Sequence, residues 1–182
     1  DDVTVKHFAD IKLETAEGIQ FNTLHSEGNV AHALNDAKKP QITMTDEALL
    51  ALGRTQSVNR VFEATVEPKS NGWTLGLATE WTAHAAPSTR FSIARKADNS
   101  AETYTLYTVT PGQENKDIET VEHVLTDAEK KATSFKLMLD ATEKGKLRAL
   151  KDGKLVFIWQ RGNDFVGANA IWTAQGTTAV FS

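Results

Sequence analysis

Cysteine is absent from this sequence, and its absence excludes several classes of protein at once. A chain without thiols has no disulfide framework, no thiol nucleophile, and no zinc or iron–sulfur centre held by cysteine. The glycine-rich phosphate motifs Gly-x-x-x-x-Gly-Lys-Ser/Thr and Gly-x-Gly-x-x-Gly are missing, as is the nucleophile elbow Gly-x-Ser-x-Gly. The five histidines form no His-x-His or His-x-x-x-His pair, so a zinc site would have to assemble from distant segments.

The sequence also lacks a block of positive charge and a long apolar run. Lysine and arginine number 20 against 24 acidic residues, which gives a net charge of −4. Sequence-independent nucleic-acid binding and attachment to an anionic membrane surface both need a basic face, so neither partner is expected. No apolar run approaches the ~20 residues that cross a bilayer, so membrane insertion is not expected either.

The remaining composition is that of a globular protein. The 182 residues are 40% hydrophobic and 24% charged, and at this length one domain spanning residues 1–182 is the default. The first residues, DDVTVKHF, contain neither a Met nor a signal peptide, as in a processed or trimmed start. We therefore expect a bacterial protein that is secreted or displayed on the cell surface.

Alternating apolar and polar residues dominate the chain and predict strands separated by short turns. In WTLGLATEW every second residue from Trp73 to Trp81 shares one face, and TYTLYTVT sets Tyr104 against Tyr107. Two segments favour short helices: TDEALLALG at 45–53, and TDAEKKA at 126–132, which could also form a hairpin loop. The pattern predicts an all-β protein, an antiparallel β-sandwich or jelly roll with one or two short helices. A β-barrel is the alternative.

The segment KGKLRALKDGKLVFIWQRGND illustrates the pattern. Its Asp152-Gly153 pair predicts a type I′ hairpin, because both residues tolerate the positive φ angles of that turn. In the apolar strand that follows, we assign Leu155 and Phe157 to the core and leave Val156 open. The polar residues from Arg161 onward mark where the strand leaves the core.

Three consecutive runs carry a resemblance to a known superfamily: RVFEATVEPKSNGWTLGLATEW, RFSIARKADNSAETYTLYTV and SFKLMLDATEKGKLRALKDGKLVFIW. Their order, over roughly residues 58–160, resembles the concanavalin A-like, or laminin G-like, jelly-roll superfamily. The resemblance implies a jelly-roll fold and a function in glycan binding or glycan cleavage on the concave sheet. Residues 1–57 carry no such resemblance.

The sequence departs from the enzymatic branches of that superfamily. The laminarinase-like hydrolases carry Glu-x-Asp-x-x-Glu, whereas the nearest run here, Glu63 to Glu67, has neither the central Asp nor the third acid. The alginate lyases carry Arg-x-Glu-x-Arg with a Gln-x-His strand. The run from Arg60 to Glu63 misses that spacing, and no Gln-x-His occurs. Both activities are disfavoured, although other lyases are not.

Tryptophan supplies the first candidate site residues, because indole rings stack on the apolar faces of sugars. Trp81 and Trp172 lie near strand ends, where a rim site would form, and Trp159 ends the strand discussed above. We predict these three rings as stacking platforms. Trp73 sits within an alternating strand, and we assign it to the core.

Polar candidates follow the same strand. Arg161, Asn163 and Asp164 place a guanidinium, an amide and a carboxylate on one loop, where they could bind sugar hydroxyls or form an ordinary Asx-turn loop. Together with other oxygens they could hold a calcium ion, although the pair Asn163-Asp164 falls far short of a calcium motif. No other cofactor is expected.

Arg90 and Arg60 begin strands and must either lie at the sheet rim or meet an acid such as Glu63, Glu80 or Glu102. Structural ion pairing is the simpler interpretation. Recognition of an acidic sugar by either arginine is the more specific one.

The leading hypothesis is therefore a non-catalytic module that binds a glycan or polysaccharide through Trp81, Trp159 and Trp172, with polar contacts from Arg90, Arg161, Asn163 and Asp164. An enzyme on the same fold, using His84, Tyr104 or Tyr107 with an arginine, is the second hypothesis. A structural or adhesive module with a protein partner is the third.

Overall fold

A computed structural model describes residues 4–7, 23–53, 60–83 and 86–182. Within these ranges the chain forms thirteen strands and one short helix: β1 (Thr4–His7), β2 (Thr23–Leu34), β3 (Pro40–Leu52), β4 (Arg60–Pro68), β5 (Trp73–Trp81), β6 (Ser88–Arg95), β7 (Ala101–Val109), β8 (Lys116–Val124), α1 (Asp127–Lys131), β9 (Phe135–Asp140), β10 (Lys146–Lys151), β11 (Lys154–Gln160), β12 (Ala168–Thr173) and β13 (Thr178–Phe181).

The strands join into one hydrogen-bonded path in the order β11-β10-β9-β4-β13-β3-β12-β5-β6-β7-β8, with β2 added to β3 and β1 to β4. Only β1 and β4 pair in parallel among the described strands. The long strand β3 links the two halves of the path. Its residues 42–45 pair with β13, and its residues 48–52 pair with β12. Asp46, between these two segments, has a φ of 58°.

The two halves of the path pack face to face as a sandwich. Phe91 of β6 meets Phe157 of β11 edge to face, with ring centroids 6.0 Å apart. Trp73 of β5 stacks on Phe135 of β9 at 5.4 Å. These strands are distant in the hydrogen-bonding order, so the contacts cross between layers. The aliphatic and aromatic residues predicted by the alternation fill that interface. The predicted all-β sandwich is confirmed.

One predicted helix is wrong and the other is confirmed. Residues 45–52 of the first segment form the second half of β3, where Leu49, Leu50 and Leu52 are buried. This half is paired on both edges, with β2 and β12, and is buried on both faces; the resulting apolar run has no alternation and resembles a short helix in sequence. The segment at 126–132 contains α1, where Thr126 and Glu129 form a reciprocal capping box. No helix among the described residues is long and apolar enough to cross a membrane.

The hairpin at Asp152-Gly153 is confirmed, with φ angles of 49° and 75° and strands joined directly by the two residues. The assignment of Leu155 to the core is wrong, because its side chain is 51% exposed, whereas Phe157 is buried and Val156 packs against the core. Opposite Ala149 and Leu150 of β10, the register passes from Phe157 directly to Leu155 and skips Val156. This bulge reverses the inward and outward alternation on the edge strand β11.

Candidate functional site

The layer β12-β5-β6-β7 carries a second apolar cluster on the face turned away from the sandwich interior. We call this surface the outer face and define it by Gly76, Ala78, Arg90, Tyr107, Ala170 and Trp172. Its floor consists of small residues. A Cβ on Gly76 would stand 1.8 Å from the carbonyl oxygen of Phe91 and 3.2 Å from Cζ2 of Trp172. Any side chain at this position would collide with the backbone of β6, and the Trp172 ring packs directly against the glycine.

Three side chains converge above this floor. The guanidinium carbon of Arg90 lies 5.2 Å from the Trp172 ring centroid, an arrangement that favours a cation–π interaction. The Tyr107 ring approaches Trp172 at 6.4 Å with an interplanar angle of 84°. The Trp172 indole nitrogen donates to the carbonyl oxygen of Leu77 at 3.2 Å, and this bond fixes the ring along the sheet. Strand pairing places Arg90 opposite both Ala78 and Tyr107.

Arg90 has an unusual hydrogen-bonding state. Its Nε is buried and has no hydrogen-bond partner within the part of the chain that the structure describes. The side chain as a whole is half-buried, so part of its surface faces outward. Burial raises the pKa of Tyr107, and the positive charge and hydrogen bond of Arg90 act against that rise. Arg90 thus presents a fixed positive charge between two aromatic rings.

A cluster of polar and aromatic side chains lies where β5 ends. We call it the Glu80 corner and define it by Glu80, Thr89, Trp159, Arg161 and Phe165. Arg161 binds Glu80 with two parallel hydrogen bonds, Nη1 to Oε1 at 2.9 Å and Nη2 to Oε2 at 2.5 Å. The Thr89 hydroxyl donates to Oε1 of Glu80 at 2.7 Å. The guanidinium lies 3.7 Å from the Phe165 ring centroid and 5.1 Å from that of Trp159. Thr89 and Arg90 are consecutive in β6, so their side chains lie on opposite faces of the sheet, and the corner packs toward the sandwich interior through Trp159 and Phe165.

The loop that carries Arg161 is held by its own contacts. Arg161 also donates to the carbonyl oxygens of Asn163 at 3.1 Å and Asp164 at 2.8 Å. The Asp164 carboxylate accepts from the backbone N–H of Gly145 at 3.1 Å. Gly167 has a φ of 146°, and a Cβ there would stand 2.5 Å from the backbone of Glu80. The loop therefore packs tightly against the end of β5.

No family model matches the chain, and no curated protein matches it by sequence. Solved structures do match. The carbohydrate-binding module CBM66 from Bacillus subtilis superposes with a TM-score of 0.62 at 14% identity, over 88% of this chain and 94% of that one. A β-glucanase from Bacillus licheniformis gives 0.56 at 10% identity, over 91% of each chain. A prokaryotic β-1,3-1,4-glucanase from a mouse hindgut metagenome gives 0.57 at 12% identity, over 91% of this chain and 92% of that one.

The chain has the concanavalin A-like jelly-roll fold. The resemblance noted in the three sequence runs is thus confirmed at the level of fold. Residues 23–53, which carried no resemblance, supply β2 and β3 of the jelly roll. The second half of β3 pairs with β12 and so adds a strand to the layer β12-β5-β6-β7.

The jelly roll separates the predicted site residues into two groups. Arg90 and Trp172 meet on the outer face, and Trp159, Arg161 and Asp164 meet at the Glu80 corner. Asn163 is exposed beside the corner and contributes its backbone carbonyl. Trp81 ends β5 and stacks on His25 at 5.0 Å. Binding of a ligand by any of these residues stays a prediction.

The expectation of open stacking platforms needs correction at two positions. Trp172 is 4% exposed and Trp81 is 7% exposed, so neither ring offers a free face in this conformation. Packing against the sheet floor, Arg90 and Tyr107 contributes to the burial of Trp172, and the His25 stack contributes to that of Trp81. Trp159 is half-buried. Trp73 lies in the core, as predicted.

Arg90 and Arg60 form no ion pair with an acid in the described ranges. Of the three candidate acids, Glu80 pairs with Arg161, Glu102 with Arg95 and Lys151, and Glu63 with Lys136. Arg60 is buried, and this burial lowers its pKa to about 10. The sequence offered no signal for the pairing of Glu80 with Arg161, which are 81 positions apart. Phe165 was missed for the same reason, since its role depends on contacts across the loop.

Of the side chains named for an enzyme, Tyr107 lies beside Arg90 on the outer face, and Tyr104 lies away from both. Tyr104 lies in the sandwich interior, and its hydroxyl donates to Glu102 at 2.7 Å. Burial, with the Glu102 hydrogen bond, raises the pKa of Tyr104 well above its ordinary value, which makes it a weak proton donor. Tyr107 lies on the opposite face of the same strand. His84 lies outside the described residues.

Calcium binding is not favoured at Asn163 and Asp164. Their carbonyl oxygens already accept from the Arg161 guanidinium, whose positive charge would repel a bound cation. Among the described residues no three His, Asp or Glu side chains cluster as metal ligands.

Proposed function

We propose that this chain is a carbohydrate-binding jelly-roll module that binds its ligand at the outer face without cleaving it. The observation that carries the proposal is the position of Arg90, a half-buried cation held between Trp172 and Tyr107. A guanidinium carries five N–H donors in a fixed fork, which suits the closely spaced oxygens of a sugar.

In this proposal Trp172 and Tyr107 position Arg90 above the small residues of the floor. Aromatic rings on both sides limit the rotamers of a long side chain, and a preorganised donor loses less entropy when a ligand arrives. Trp172 contributes through its contact with Arg90, since its own ring is buried.

The Glu80 corner, at the end of β5, supplies a further, separate contact in this proposal. Trp159 keeps exposed surface and lies against Phe165 with ring centroids 5.4 Å apart, so its free portion can pack on a sugar ring. Arg161 has its donors engaged with Glu80 and the loop carbonyls. It therefore holds the corner in shape, and the amide of Asn163 is the more available polar contact.

One further observation supports binding over cleavage. The fold itself is compatible with either, since it is shared with a carbohydrate-binding module and with β-glucanases. Glycosidases generally need two carboxyl groups flanking the bond to be cut. Glu80, the acid at the corner, is engaged by Arg161 and Thr89 and is poorly placed to act as a general acid. A secreted or cell-surface location would accompany a glycan-binding role.

The proposal is tested by calorimetric titration with a panel of neutral oligosaccharides, combined with chromatography of the same mixtures. Saturable binding with no new products is the expected result. Release of oligosaccharide products would show instead that the protein is an enzyme. No binding to any member, together with capture of a protein partner, would instead support an adhesive module.

The residue-level test compares two arginine variants. Arg90→Met removes the guanidinium and keeps an apolar chain beside Trp172, and we expect affinity to fall by about tenfold or more. Arg148→Met is the matched control, because Arg148 lies on β10 in the other layer and pairs with Glu143. Equal affinity in both variants would remove Arg90 from the site.

A further inference from the structure

The end of the sandwich opposite the Glu80 corner holds a cavity of about 460 Å³. β5 runs from this cavity, at Trp73, to the corner, at Trp81. Three segments form its walls: the β4–β5 turn at 67–72, the β6–β7 turn from Arg95 to Asn99, and residues 130–135 between α1 and β9. Its volume falls in the range of roughly 300–1,000 Å³ that holds small ligands.

The lining of this cavity is positively charged, whereas the chain as a whole is negatively charged. One carboxylate, Glu67, lines it against five cations, so the lining carries a net charge of 5 − 1 = +4: Lys69, Arg95, Lys96, Lys130 and Lys131. The whole chain has a net charge of −4. Like charges gathered in one concavity repel each other and create a positive potential that attracts anions.

Three of these five cations are paired with carboxylates, and Arg95 is one of them, through Glu102. Lys69 pairs with Glu67, and Lys96 approaches Glu122 at 3.5 Å with both side chains largely exposed. Lys130 and Lys131 form no ion pair with any residue in the described ranges. Their place in the last turn of α1 suits the helix dipole, but that interaction is small and does not balance two full charges.

The frame of the cavity is rigidly tied together. The Arg95 guanidinium donates from Nε to Glu102 at 2.9 Å and from Nη1 to the Asn99 side chain at 3.2 Å. Asn99 in turn donates to the carbonyl oxygen of Lys130 at 3.3 Å, which links the β6–β7 turn to α1. Below them Trp73 lies under Arg95, at 5.2 Å, and stacks on Phe135. The cations thus surround a largely buried aromatic floor.

We infer that this cavity is a second binding site, and that it takes an anionic group carried on a saccharide, either a sulfate ester or a carboxylate. Ammonium groups are compact point charges with three donors each, which can gather round the oxygens of such a group. The choice of a saccharide as carrier rests on the proposed function. The anion site itself rests only on the charge and shape of the cavity.

The test uses four probes on the intact chain: a sulfated galactan oligosaccharide, its chemically desulfated form, an oligogalacturonate, and sodium sulfate. We expect the sulfated or the uronate oligomer to bind more tightly than the desulfated one, with affinity falling as salt rises. Equal affinity for the sulfated and desulfated forms, with neither affected by salt, would overturn the anion site. Binding of sulfate ion as tight as that of either anionic oligomer would overturn the saccharide as carrier.

The double variant Lys130→Gln/Lys131→Gln should weaken binding of the preferred anionic oligomer by about tenfold. Lys38→Gln/Lys39→Gln, on the β2–β3 turn, is the matched control with the same change in net charge and should bind as the wild type does. An equal loss in the two variants would mean that net charge alone is responsible and would overturn the site. Both lysine pairs are exposed, so folding should survive in each variant, as circular dichroism would verify.

This experiment separates the two sites. If Arg90→Met leaves all binding unchanged while the Lys130/Lys131 variant loses the anionic oligomer, the outer-face proposal fails and the anion site stands. If the neutral panel binds through Arg90 and the lysine variant loses nothing, the anion site fails and the proposed function stands.

Discussion

The Arg90 guanidinium lies over the ring of Trp172, 5.2 Å from its centroid, although the two residues are separated by a whole strand of the sheet. Arg90 belongs to β6 and Trp172 to β12, and β5 runs between them. The contact is possible because β5 presents Gly76 and Ala78 at that point, with no long side chain. The geometry of the outer face therefore depends on a glycine in the middle of a strand.

Gly76→Ala should destabilise the protein by about 1–3 kcal/mol, because the new methyl would overlap the backbone oxygen of Phe91 as well as Trp172. Chemical denaturation followed by tryptophan fluorescence measures the change. Gly162→Ala is the control: a Cβ there meets no atom within 4 Å, and the shift should stay within about 0.5 kcal/mol. Equal stability of the two variants would contradict the close approach of Gly76 to the Phe91 carbonyl of β6.

Glu102→Gln should destabilise the protein by about 3–5 kcal/mol. Glu102 is fully buried and accepts from Lys151, Tyr104 and Arg95, so the substitution leaves two cations without a counter-charge in the interior. Burial alone would raise the pKa of Glu102, but the Lys151 hydrogen bond and charge, with Tyr104 and Arg95, outweigh it and lower that pKa. The carboxylate is therefore ionised in the folded protein.

Glu143→Gln is the comparison for that prediction. Glu143 contacts Lys146 and Arg148 on the surface, where solvent screens ion pairs, so its loss should leave the free energy of unfolding almost unchanged. Urea titrations of both variants under the same conditions give the difference. A Glu102 variant no less stable than the Glu143 variant would show that the interior cluster adds nothing to the fold.

Phe157→Ala should cost about 3–5 kcal/mol, whereas Leu155→Ala should change stability by less than about 0.5 kcal/mol. The two residues are two positions apart on β11, and simple alternation would bury both. The bulge turns Leu155 outward, so that it is 51% exposed while Phe157 is 1% exposed. Comparable losses in the two variants would show that the bulge is not present in solution.

Much of the fold could be predicted from the local alternation of apolar and polar residues, but the candidate site could not. Alternation predicted the strands around Tyr104 and Tyr107, including their opposite faces, because each strand in question has one interior side. The pattern failed at 45–53, where both faces of β3 are buried, and at Leu155, where a bulge reverses the alternation. The contact of Glu80 with Arg161 joins segments whose proximity depends on strand order. The same holds for the lysines that line the cavity at the other end of β5. No local pattern encodes that order.

Glu129 should titrate at about pH 2 in the folded protein. The backbone N–H of Thr126 donates to this carboxylate and is the main cause of the lowered pKa, assisted by His123. Since the folded pKa lies below the ordinary value of 4.5, the stabilisation is complete above pH 4.5 and is lost as the pH falls toward 2. Carboxyl carbon shifts in an NMR titration measure the midpoint. A midpoint near 4.5 would mean that the capping box is absent.

The outer-face site is tested most directly by the indole N–H resonances of the four tryptophans during titration with the best-bound oligosaccharide of the neutral panel. We expect the Trp172 resonance and the Arg90 Nε–H resonance to shift together and to saturate at the calorimetric affinity. The Trp73 resonance, from the opposite end of β5, should stay in place. In Arg90→Met the Trp172 shift should disappear at the same ligand concentration. Saturable binding that leaves the Trp172 and Arg90 resonances unmoved would contradict the account.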